Sequence, residues 1–179
     1  MKYFIYLLAI IILLGVNLGL FSGLKIQGQL PNLLFLLTVC FAMIKQDGED
    51  YLFVAFVAGL FLDFYSTRFF GSFTLALLLL ALFLRQLMSN ILALALNWKI
   101  LSLAVVFSWT ALNILLWFYA LLAAKFNWIG YSADFKTIFS ALPAGLFYNL
   151  LLLYPVYLLA NFLKKLIVDL SFKGRGVIR

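Results

Sequence analysis

Apolar runs of roughly 14 to 26 residues follow one another along the chain, separated by short polar stretches, and they divide it into six segments. The first covers Tyr3 to Leu20, the second Pro31 to Ile44 and the third Tyr51 to Tyr65. The fourth begins near Gly71 and ends near Arg85 or continues through QLMSNILALALN, the fifth spans Ile100 to Ala124, and the sixth Ile138 to Leu163. Runs of this length match helices crossing a hydrocarbon layer about 30 Å thick. The second and third are short for a crossing, about 20 Å at 1.5 Å per residue, so tilt, local thinning of the bilayer and partial re-entry are all open for them. Pro31 is expected in the first turn of its helix, where the missing N–H costs nothing. The expected fold class is therefore an all-α integral membrane protein, a polytopic bundle of about six transmembrane helices with short second and third spans.

Composition sharpens this picture. The chain is 67% hydrophobic and 11% charged, with a mean hydropathy of +1.16, against roughly 45–50% apolar and about 25% charged residues in soluble domains. A removable leader is the competing reading of MKYFIYLLAIIILLGVNLGL. The run from Tyr3 to Leu20 exceeds an h-region of about 7–15 residues, and no A-x-A-like site follows, so it reads as a retained span. The chain contains no histidine and one cysteine, Cys40, inside an apolar run. Histidine ligands and bases, Ser/His/Asp and Cys/His arrangements, and an intramolecular disulfide are thereby excluded. Of the six acids only Asp63 lies within an apolar segment, so paired intramembrane carboxylates are missing too. No catalytic, cofactor or metal residues are assigned.

The small and polar residues fall on helical stripes. Ala55, Gly59 and Asp63 stand four apart, a small-residue row ending in a carboxylate that is expected to face protein. Asp63 is either an interfacial group satisfied by backbone N–H at the start of the next helix, with Arg68 as an ion-pair variant, or a direct determinant of partner or ligand binding. Gly15, Gly19 and Gly23 form a doubled GxxxG with Asn17 nearby; the helix they receive belongs to this chain or to another. In the sixth segment Ala141, Gly145 and Asn149 repeat the pattern between Pro143 and Pro155, and Pro155 is expected to kink its helix. Thr110 and Asn113, with Trp109 and Trp117, read as a face for interhelical hydrogen bonds. The acids of KQDGED, residues 45–50, read as a solvated turn and not a cation site.

Basic residues suggest an orientation. With a cytoplasmic N-terminus and six crossings, nine of the 13 Lys and Arg lie on the cytoplasmic side and four outside, as the positive-inside rule favours. Both termini are then cytoplasmic. Residues 1–163 form a single membrane domain, and 164–179 a basic amphipathic tail in which Lys164 and Lys165 oppose Leu166, Ile167 and Leu170. Such a tail suits an anionic lipid interface and accounts for the net charge of +7 without nucleic acid.

Three stretches carry a resemblance: LPNLLFLLTV at Leu30 to Val39, AGLFLDFYSTRFFGSFTLALLLLALFL at Ala58 to Leu84, and LPAGLFYNLLLLYPVYLLANFLKK at Leu142 to Lys165. In this order they resemble the bacterial rod shape-determining protein MreD family. The family pattern maps onto Pro31, Gly59, Asp63, Gly71, Pro143, Asn149 and Pro155, with Asn32 where the family more often has Asp. The resemblance implies a non-enzymatic, multi-pass subunit of the wall-elongation complex in the bacterial plasma membrane. It implies contact with a single-span partner of the MreC type and, through the complex, with the MreB filament, RodA and a class B penicillin-binding protein. A substrate-binding subunit of an energy-coupling-factor vitamin transporter is the alternative, similar in length and span number. A proton-coupled transporter is disfavoured, because one edge-placed Asp without His gives no relay.

Overall fold

The structure, a computed structural model, describes residues 2–19, 31–44, 49–66, 70–90, 97–126 and 142–175. Among these, all regular structure is helical: α1 Lys2–Gly19, α2 Leu33–Met43, α3 Asp50–Tyr65, α4 Ser72–Asn90, α5 Trp98–Lys125 and α6 Leu142–Arg175. By length and composition α1, α5 and the Leu142–Val168 part of α6 are long and apolar enough to cross a membrane. The fourth segment runs past Arg85 as far as Asn90, and the rest of QLMSNILALALN up to residue 96 lies outside the described residues.

α2 occupies the centre. It is only 11 residues long, about 16 Å, yet all 11 are buried, and it packs against each of the other five helices. A helix that is apolar all round sits in a protein core or in lipid, and here the flanking helices surround it. Its ends are set by local hydrogen bonds. Asn32 is the N-cap, its side chain accepting from the Phe35 N–H at 3.0 Å, and the chain turns extended at Ile44, whose N–H reaches the Cys40 carbonyl. Pro31 therefore precedes the cap and is not in the first helical turn, because Asn32 supplies the oxygen that a helix start requires.

The neighbours run alternately up and down. Tyr6 of α1 meets Phe41, near the end of α2, edge-on at 5.2 Å, while Tyr3 meets Phe53, near the start of α3, at 4.6 Å. α1 and α3 are thus parallel to each other and antiparallel to α2. α3 and α4 form the tightest hairpin of the bundle, closed through Gly71 at φ +92°, a backbone angle that glycine adopts without penalty. α6 remains helical through Pro155. Six helices thus have an Asp63 end, holding the starts of α2, α4 and α6, and a Lys2 end, holding the starts of α1, α3 and α5.

Candidate functional site

With no catalytic constellation expected, the residues to follow are the buried polar groups and the glycines, since each buried polar group needs a partner. At the α3–α4 joint Asp63 is 3% exposed. Its Oδ1 accepts from the Phe73 N–H at 2.8 Å, and its Oδ2 accepts from the Thr74 N–H at 3.0 Å and the Thr74 hydroxyl at 2.5 Å. The carboxylate caps the first turn of α4, where orphan N–H groups and the helix dipole both favour an anion. One turn earlier Gly59 brings α3 against the same residue: a Cβ on Gly59 would lie 2.5 Å from the Thr74 Cα. Asp63 and Gly59 thus act on one residue of α4 from one stripe of α3, and Ala55 continues that stripe into the core. Arg68 lies outside the described residues.

A second joint ties α6 to α2 and α5. Asn149, fully buried, accepts from the Asn32 backbone N–H at 3.2 Å, a donor left open at the entrance to α2. Trp109 of α5 donates its indole N–H to the Leu142 carbonyl at 3.2 Å and packs edge-on against Phe35 at 5.3 Å. Gly145 makes room for that indole, since a Cβ there would overlap the ring, with Cε2 only 2.9 Å away. Pro143 stands in the first turn of α6, and Ala141 is outside the described residues. The expected interhelical bonds of Thr110 and Asn113 are instead made within α5. The Thr110 hydroxyl donates to the Val106 carbonyl at 2.9 Å, and the Asn113 amide to the Trp109 carbonyl at 2.9 Å. Short polar side chains in an apolar helix find the carbonyl four residues back without help from a neighbour.

A third joint was not anticipated. Asp50, read as part of a solvated turn, pairs with Lys2 at 2.7 Å and accepts from the Tyr6 hydroxyl at 3.1 Å, tying the start of α3 to the start of α1. The signal available in the sequence was an acid in the first turn of one apolar segment and a lysine in the first turn of another. Nothing in the linear pattern pairs two residues 48 positions apart.

The α1 glycines behave differently from Gly59 and Gly145. Gly15 is exposed, and among the described residues a Cβ placed on it meets no atom within 4 Å; the same holds for a Cβ on Gly19. Leu8, Ile11, Ile12 and Leu18 are exposed on the same helix. Gly23 is outside the described residues. Among the described residues no three His, Cys, Asp or Glu groups gather as metal ligands would.

No family model, curated protein or solved structure matches this chain. The Asp63 and Asn149 joints hold helices to one another, and among the described residues two buried amide atoms, Asn149 Nδ2 and Asn17 Oδ1, have no hydrogen-bond partner.

Proposed function

We propose that this protein is a non-enzymatic membrane scaffold of the MreD type. In this reading it is a polytopic subunit of the bacterial wall-elongation complex in the plasma membrane, with both termini cytoplasmic. It binds a single-span partner of the MreC type, and through it the MreB filament, RodA and a class B penicillin-binding protein. The observation that carries the reading is the contrast between glycines. Gly59 and Gly145 are filled by neighbours in this chain, whereas Gly15 presents a small-residue face with nothing of the described chain upon it. In a bilayer such a face lets a second helix approach closely. The polar groups that could have served chemistry are used to close helix ends, which suits a framework better than a catalyst.

The test is affinity purification of the tagged chain from native bacterial membranes with mass spectrometry, alongside controlled depletion. A single-span protein with an extracytoplasmic domain is expected to co-purify, Gly15→Leu is expected to lose it, and depleted rods are expected to round up. Rods of normal shape after complete depletion would overturn the assignment.

The substrate-binding alternative has one observation in its favour: the unpartnered Asn149 and Asn17 amide atoms. Buried amide atoms left open cost about 1–3 kcal/mol each unless a ligand or water meets them. Protein purified from native membranes distinguishes the two readings, because a stoichiometric bound small molecule other than a membrane lipid belongs to the second alone.

A further inference from the structure

Between α4 and α5 lies an apolar groove of about 670 Å³, within the range of about 300–1,000 Å³ that holds drug-sized ligands. Buried Met43 of α2 and Leu84 of α4 form its floor, and the exposed Phe83, Leu103 and Phe107 its rims. Phe83 and Phe107 stack at 5.7 Å across it. The groove offers a ligand almost no polar chemistry: the hydroxyl of Thr110 is already bonded to the Val106 carbonyl. A polar solute gains nothing there.

The end nearest the start of α5 is different. Lys99 stands one turn before Leu103 on the stripe that continues through Val106 and Thr110 into the groove wall, and it is exposed. Among the described residues it is in no ion pair. It is also the second residue of α5, whose N-cap Asn97 makes no side-chain capping bond, so first-turn N–H groups and a lysine stand together beside the apolar channel. Arg85, at the same end, is turned the other way, its guanidinium 5.8 Å over the Tyr51 ring.

From this pairing of an apolar channel with a cationic mouth, we infer that the α4–α5 groove binds one anionic phospholipid. An acyl chain lies along Phe83, Leu103 and Phe107, and the phosphate meets Lys99 and the start of α5. The chain contributes burial of its methylenes, while the lysine and the helix start select the charged headgroup. The site is independent of the partner-binding face on α1. It is also separate from the basic tail, which would lie on a lipid surface without enclosing a chain.

The experiment uses the full-length chain in nanodiscs of phosphatidylcholine with or without phosphatidylglycerol, read by thermal unfolding, and by native mass spectrometry after detergent transfer. Phosphatidylglycerol is expected to raise the midpoint by several degrees and to leave one retained lipid per chain. Lys99→Glu is expected to abolish the preference for phosphatidylglycerol. Leu103→Trp, at a position 70% exposed and so compatible with folding, is expected to lower retention at least tenfold by filling the groove. Equal stabilisation by the two lipids, or retention unchanged in Leu103→Trp, overturns the proposal. So does a Leu103→Cys variant that cross-links to a partner helix and not to a photoactivatable lipid chain.

Discussion

Both oxygens of the Asp63 carboxylate are committed to α4, one to the Phe73 N–H and the other to the amide and hydroxyl of Thr74. A buried acid with three donors from the next helix is a fastener between two helices. Asp63→Ala strands those donors, and the expected loss is about 1–3 kcal/mol of stability, read by thermal unfolding in detergent. Asp63→Asn keeps one good acceptor and is expected to lose less. Equal losses for the two variants would contradict the capping geometry.

Gly59 offers a steric version of the same test. A methyl group at this position cannot coexist with the Thr74 backbone at its present distance. Gly59→Ala is therefore expected to separate α3 from α4 at a cost of about 1–3 kcal/mol. The pairing with Asp63 should be strongly non-additive, because both act on Thr74; a double-variant cycle checks this.

Gly15 carries the opposite expectation. With open space around its Cβ position, Gly15→Leu should leave unfolding unchanged or slightly improved, as replacing an exposed helical glycine gains up to about 1 kcal/mol. If the proposed scaffold role holds, recovery of a single-span partner should fall severalfold. A variant that loses stability and partner together would place this face inside the fold and not at an interface.

The Lys2–Asp50 pair is modest by comparison. The Lys2 side chain is 42% exposed and that of Asp50 13%, so water screens much of the attraction. A cycle of Lys2→Met and Asp50→Asn is expected to give a coupling of about 0.2–1 kcal/mol that shrinks in high salt. Insensitivity to salt would mean that the pair is better shielded than its exposure indicates.

Where the fold could be read in advance, the reason was length and periodicity. The apolar runs of α1 and α5 place their helices to within a residue or two, and the four-residue spacing of Ala55, Gly59 and Asp63 marks a face that the structure buries. What could not be read was which faces meet. The small-residue rows of α1 and α3 look alike in sequence, yet one is filled by Thr74 while Gly15 and Gly19 of the other meet nothing among the described residues. Thr110 and Asn113 misled for a local reason, since a carbonyl within their own helix is always in reach. The partner of Asn149 escaped because it is a main-chain N–H 117 residues away, a group carried by every residue except proline.

α2 imposes an order on biogenesis. It is too short to span a bilayer and has no surface turned outward, so its native place does not exist when it leaves the ribosome. That place is completed only when α5 brings Trp109 against Phe35 and α6 brings Asn149 to the head of α2. Until then the segment has to wait against α1, α3 and α4, with its first amide uncovered. A chain truncated before residue 142 is therefore a quality-control substrate, expected to insert but not to mature, and to be degraded faster than the full protein in a pulse-chase measurement.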